Sequence, residues 1–266
     1  MTAGMIPRRH AVDCLTVFLV NVRAHIRYLG DDVRLIICGI EYSGTTTLAT
    51  GISAWAGATI GGEFPVHDHW KFPDIECYRS GPSPSLNDTD RRTMLGLSPK
   101  LKEMLQRQSL VMHFGDAGEL TDQILAGFHL DDTVYGPLYF DYGGPDEPQG
   151  GPRTRYARYV EEQFRKRAPE TVFVYLRASA EAIARRMRDA PRPYGVLKHD
   201  DIERVLASFE AEAEAALFPN KIALDTSDST PAETLSQLVT QLHPFFTDTD
   251  RMRMLAHKAL ADGGNR

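Results

Sequence analysis

Runs of unbroken apolar residues alternate along this chain with segments whose apolar positions recur every three or four residues. The first pattern predicts strands buried on both faces, and the second predicts amphipathic helices. Val33 to Cys38 reads as a buried strand, and Thr45 to about Ala56 as the helix after it. A short strand is expected to end near Val66, and residues 71–96, rich in Pro, Ser, Asp and Gly, read as an excursion from the core. Ser98-Pro99 opens a helix, "SPKLKEMLQRQ", with Ser98 as N-cap and Pro99 at the first helical position, where no backbone donor is needed. "SLVMHF" and "QILAGF" are two further expected strands.

A Gly/Pro loop through Pro152 precedes a basic amphipathic helix, "RTRYARYVEEQFRKRA". "TVFVYL" (171–176) has the β-branched, wholly apolar character of a strand in the middle of a parallel sheet. The helix "SAEAIARRMRDA", a Pro-punctuated loop and a long helix from about Asp200 to Leu217 follow. "KIALDTS" supplies a last strand, and "TPAETLSQLVTQLHPFF" a closing helix. Strands alternating with helices predict an α/β fold, a three-layer doubly wound parallel sheet. The expected organisation is a helical extension over residues 1–30, one domain over 31–247, and a tail over 248–266 that is a polar helix or unstructured.

Composition changes this picture little. With 42% hydrophobic and 25% charged residues among 266, the chain can bury a sizeable core. A net charge of -6 argues against a nucleic-acid coating surface but leaves room for a local basic pocket. Three cysteines without metal-type spacing suit a reducing cytoplasm. Residues 11–30 follow Arg8 and Arg9 as a signal peptide would, but Asp13 and Asn21 interrupt the apolar run and no small-residue cleavage site stands out. They read as an amphipathic helix on the domain, or as a start placed upstream of the true one, and no membrane partner is expected.

The candidate chemistry begins at "IICGIEYSGTTTLA". Gly39 and Gly44 have the spacing of a G-x-x-x-x-G loop between a strand and a helix. Glycines there let successive backbone N–H groups converge on phosphate oxygens, with the helix N-terminus adding its dipole. Ser43, Thr45, Thr46 and Thr47 add hydroxyls, and Thr46 is placed to hold Mg²⁺. Thr45 stands where such loops carry lysine, and its neutral hydroxyl is a weaker donor than an ammonium.

"GIEYSGTTTLA" resembles the nucleotide-binding loop of thymidylate kinases and deoxynucleoside kinases, with Thr for Lys. "VYLRASAEAIARRMRDAPRP" is similar to the strand, turn and arginine-bearing lid helix of that P-loop family. "FHLDDTVYGPLY" is similar to the helix after its third strand, and "ALDTSDSTPAETL" to its last strand and adenine-side loop. The matches run in order over roughly residues 33–246. They imply a P-loop nucleoside triphosphate hydrolase-like fold, ATP and Mg²⁺ as cofactors, and a small nucleotide or nucleoside as partner. Ala126-Gly127 depart from the family by replacing an acidic-Arg pair.

The resemblance implies a lid near residues 186–198, with Arg186 as the best phosphate contact and Arg188 and Arg192 beside it. Arg185 and Arg188 share a helix face, and a solvated basic face is the plain alternative. Arg153, Arg155 and Arg158 are other possible donors, read mostly as a surface helix with pairs such as Arg158–Glu162.

Asp68, at the end of the second strand, is the general-base candidate, or orients substrate or magnesium if the acceptor is itself a phosphate. His67 and His69 share the opposite strand face and lack a third ligand for zinc. Trp70 and Phe72 would wall a base pocket or fill core. Asp131 and Asp132 would hold magnesium-bound water or a sugar, or simply answer a helix dipole. Asp225 matches an adenine or ribose contact of the family.

A kinase-type phosphotransferase therefore competes with a nucleotide-binding protein that transfers slowly or not at all. A sulfotransferase is a third reading. "SGTT" and Arg177 fit that group, whereas Glu41-Tyr42 and Arg185 do not. The apolar face of the Ser98 helix would suit a homodimer.

Overall fold

A computed structural model describes residues 34–68, 72–73, 86–111, 122–146 and 152–263. The expected extension over 1–30, and His69 and Trp70, lie outside the described residues.

The strands are β1 (Arg34–Cys38), β2 (Val66–Asp68), β3 (Gln123–Ala126), β4 (Val172–Arg177) and β5 (Asn220–Asp225), all parallel in the order β2-β3-β1-β4-β5. β1 is central because every one of its residues is apolar or buried: Leu35, Ile36, Ile37 and Cys38 are at most 2% exposed. Side chains alternate across the sheet with period two. Leu35, Ile37, Val172, Val174, Ile222 and Leu224 face one core, and Ile36, Cys38, Phe173 and Tyr175 face the other.

The first core is closed by α1 (Thr45–Thr59) and α8 (Pro231–Leu242), through Leu48, Ile52, Leu238 and Leu242. The second is closed by α4 (His129–Tyr139), α5 (Arg153–Arg167) and α7 (Ile202–Ala215), through Val134, Tyr135, Val160, Val205 and Phe209. Each such side chain contributes roughly 1.5–3 kcal/mol by leaving water. The result is the expected three-layer sandwich. The chain leaves β1 for one face and β3 for the other, so a crevice opens beyond the carboxyl ends of these neighbouring strands.

Two short helices, α2 (Asp88–Leu95) and α3 (Pro99–Val111), lie between β2 and β3, and α6 (Ala180–Asp189) follows β4. α9 (Asp248–Gly263) makes the tail a helix, anchored by Arg253 to Asp122 at 2.5 Å. No described helix is long and apolar enough to cross a membrane.

The expected excursion over 71–96 includes α2, an ordered helix with no buried residue, which Asn87 caps through Thr89 N and Asp90 N with Asp90 completing a capping box. Three local expectations are corrected. Ser109 to Val111 of "SLVMHF" end α3 instead of starting a strand: the apolar run continues a helix face already begun at Pro99. The long helix starts at Ile202, after a 3-10 turn over His199–Asp201. Arg158 pairs with Glu161 at 3.1 Å and with Glu212 of α7 at 2.9 Å, not with Glu162, because α5 turns that side toward α7.

Candidate functional site

The turn from β1 into α1 shows why its glycines are needed. A Cβ on Gly39 would lie 2.6 Å from Ser43 Oγ and 2.8 Å from the Leu176 carbonyl, so the loop folds tightly against β4. Gly44 caps α1 in the left-handed region at φ 100°, and space is open where its Cβ would point. Ser43 N–H donates to the Ile40 carbonyl at 3.0 Å and closes the turn. Ser43 Oγ is sealed from solvent with no hydrogen-bond partner among the described residues, which leaves a donor inside the curl of the loop. Tyr42 sits at φ 68°, an unusual conformation for an aromatic residue.

Thr45 and Thr46 are half-buried at the start of α1, and Thr47 is exposed beside a shallow groove shared with Pro231 and Leu235 of α8. Thr46 Oγ1 donates to Asp68 Oδ2 at 2.8 Å. The register of β2 on β3 delivers Asp68 beside Ala126, at the same sheet edge as the loop. Thr46 and Asp68, far apart in sequence, therefore form one oxygen-only pair. An alcohol next to a carboxylate suits a hard divalent cation such as Mg²⁺.

Asp131 follows the turn after β3. A Cβ on Gly127 would lie 2.7 Å from Asp131 Oδ2, so this glycine lets the carboxyl fold back onto the backbone. Burial, then the nearby Asp68, Glu41 and Asp132, push Asp131 well above the ordinary carboxylate range. Asp131 thus lies within electrostatic reach of the Thr46–Asp68 pair and of Glu41. Asp132 points the other way, into the core, where Arg153 Nε donates to it at 2.7 Å and Tyr142 OH at 2.9 Å. Arg153 is thus fully buried and not part of a surface face.

Arg186 reaches from α6 to the loop. Its Nη1 donates to the Tyr42 carbonyl at 3.0 Å and to Thr226 Oγ1 at 3.3 Å, and its Nη2 donates to the Thr226 carbonyl. All three partners are neutral oxygens, and no salt bridge joins Arg186 to a carboxylate among the described residues. Desolvation, then the neighbouring Arg185, lower its pKa, while Asp225 and Asp228 act in the opposite direction. Thr226 is the hub of this corner: its hydroxyl donates to the Ser43 carbonyl at 2.9 Å.

Arg188 is exposed beside Asp189 at 3.5 Å, on the solvent side of α6. Arg192 lies with its guanidinium 4.9 Å from the Tyr42 ring centre, next to the loop. Asp225 accepts from Ser227 N at 2.8 Å and Ser227 Oγ at 2.6 Å, which holds it below the ordinary range. Arg177 pairs with Glu210 at the sheet edge. Phe72 packs on Phe140 at 5.3 Å within the core.

Two solved structures share this arrangement of elements. A deoxyadenosine kinase from M. mycoides, with its products bound, superposes with a TM-score of 0.50 at 15% identity, over 80% of this chain and 100% of the other. A thymidylate kinase from Candida albicans gives a TM-score of 0.50 at 15% identity, over 80% of this chain and 92% of the other. The fold is P-loop nucleoside/nucleotide kinase-like. No family model and no curated protein matches the chain by sequence.

Within the kinase-like fold, Gly39, Ser43, Gly44, Thr45 and Thr46 lie on the β1–α1 turn and the start of α1, Asp68 bonds Thr46, Asp131 lies within electrostatic reach of Asp68, and Arg186 and Arg192 both contact Tyr42 of the turn. Arg188 stands in solvent beside Asp189, and Thr47 lines, together with Thr46, the groove toward Pro231. Sequence reasoning did not assign Glu41 or Tyr135. Tyr135 OH accepts from Glu41 N at 2.9 Å and steadies the loop from α4. The placement of the Glu41-Tyr42 pair inside the glycine spacing was the available signal.

Proposed function

We propose that the chain is an ATP-dependent phosphotransferase of the nucleoside/nucleotide kinase type, acting on a hydroxyl or phosphate of a small nucleoside or nucleotide. The observation that carries this reading is the Arg186 guanidinium, held on the Tyr42 carbonyl of the glycine loop by neutral oxygens alone. A guanidinium whose hydrogen-bond partners are all neutral, at a glycine turn that opens a helix, suits an anion. It stands in for the ammonium that Thr45 lacks.

The loop N–H groups and the Ser43 hydroxyl would bind phosphate oxygens, with Arg186 and Arg192 supplying positive charge. Thr46 and Asp68 would hold Mg²⁺, which neutralises phosphate charge when bound. Asp68 is tied to Thr46 and so serves the metal edge, orienting an acceptor more than acting as an unencumbered base. Asp131, folded back against Gly127 and near Asp68, is assigned to magnesium-bound water or the acceptor's sugar. Asp225 steadies the loop after β5 on the adenine side.

A second reading, nucleotide binding with slow transfer, is favoured by one observation: the Arg186 donors are already engaged by carbonyls, so little of their strength remains for a transition state. Calorimetric titration with ATP·Mg²⁺ tests both. Tight binding of ATP·Mg²⁺, weak binding of adenosine 3′,5′-bisphosphate, and phosphate transfer across a nucleoside and nucleotide panel are expected. Binding without transfer selects the second reading, and preference for the bisphosphate refutes the first in favour of sulfotransfer.

A further inference from the structure

Between α6 and the 3-10 turn, residues 190–198 pass over the glycine loop, and two loop side chains meet them there. Glu41 Oε2 accepts from Leu197 N at 3.1 Å, and its Oε1 from Val196 N at 3.4 Å. Tyr42 OH accepts from Arg192 N at 3.1 Å while the Arg192 guanidinium covers the Tyr42 ring. A Cβ on Gly195 would come within 3.3 Å of Glu41 Oε2, so the close approach of this carboxylate favours a residue without a side chain. Leu197 is buried behind the contact, which fixes the far end of the segment.

We propose that Glu41 is a positioning residue: its carboxylate, carried inside the anion-binding loop, latches the backbone of residues 195–197 onto that loop and so sets where Arg192 stands. A carboxylate accepting two backbone N–H groups makes charge-assisted bonds, stronger than those of a neutral acceptor. Because the latch grows from the loop itself, any anion that reshapes the loop also moves the segment above it. This coupling to the phosphate ligand rests on the kinase reading, but the latch in the free protein does not.

Amide hydrogen exchange on the full chain tests it without any ligand. In Glu41→Ala, the Val196 and Leu197 amides should exchange on the order of tenfold faster while the β1 and β4 amides keep their protection. Glu41→Gln keeps one acceptor oxygen and should fall between wild type and Glu41→Ala. Tyr42→Phe should speed the Arg192 amide and leave Val196 and Leu197 unchanged. Unaltered exchange at 196–197 in Glu41→Ala overturns the latch. Equal acceleration in β1 and β4 overturns it too, by showing a general loss of stability.

ATP·Mg²⁺ added to wild type should slow exchange over 192–198, and that response should vanish in Glu41→Ala. If wild type does not respond to ATP·Mg²⁺ while the ligand-free difference persists, the kinase reading fails and the latch stands.

Discussion

Two buried or half-buried arginines divide the molecule's polar chemistry. Arg153 lies in the core between α4 and α5, with Asp132 against it, Glu103 at 3.7 Å and the Tyr156 ring 4.3 Å away. Arg186 lies at the crevice with carbonyls and a hydroxyl for partners. The first guanidinium is neutralised where it sits, and removing either partner strands a charge in the protein interior. The second satisfies its hydrogen bonds and keeps its charge. The charge of the partners, more than depth, thus separates a guanidinium neutralised in place from one that keeps its charge.

The largest effect should come from Arg153→Met. It leaves Asp132 buried without its cation and should cost about 3–5 kcal/mol in denaturant unfolding. Adding Asp132→Asn should recover part of that loss. Without a recovery, the pair is not the source of the cost.

Thr45→Lys should leave transfer unchanged or lower it in a steady-state assay, because Arg186 already fills the ammonium's place. A rise on the order of a hundredfold, the scale of one preorganised charge, would instead select the slow-transfer reading. Arg186→Ala should weaken ATP·Mg²⁺ by about tenfold or more in calorimetry while costing only about 1–2 kcal/mol in unfolding. If stability collapses as for Arg153→Met and affinity holds, the contrast between the two arginines is broken.

The smallest effect concerns Asp225, a mostly exposed carboxylate beside the Arg186 corner. Its folded pKa is depressed, chiefly by the Ser227 hydroxyl and then the Ser227 N–H. The stability it contributes is present above its unfolded pKa and is lost as pH falls through the folded value. Ser227→Ala should raise its pKa in an NMR titration and cost less than about 1 kcal/mol near neutral pH, after solvent screening. Below both pKa values that pH-linked difference should vanish.

Local pattern made much of the fold legible. β1 and β4 are unbroken apolar runs, and only a central parallel strand buries both faces. The glycine loop was equally legible, because Gly39 and Gly44 answer steric demands made within a few residues. "SLVMHF" misled because a short apolar run satisfies a strand and a helix end alike. The pattern of "RTRYARYV" groups Arg153 with its surface neighbours, because nothing in it says that Asp132 waits in the core.

By itself, the order of residues determined the alternation of strands and helices, the curl of the glycine loop and the threonine at its lysine position, since each depends on neighbours along the chain. Only the tertiary structure decided which charges meet. Strand register set Asp68 on Thr46, the crossing of α6 over the loop brought Arg186 to Tyr42, and the return of residues 195–197 gave Glu41 its partners. Those contacts join residues separated by 22 to 156 positions, and electrostatic partnership over such spans follows from packing that no local pattern encodes.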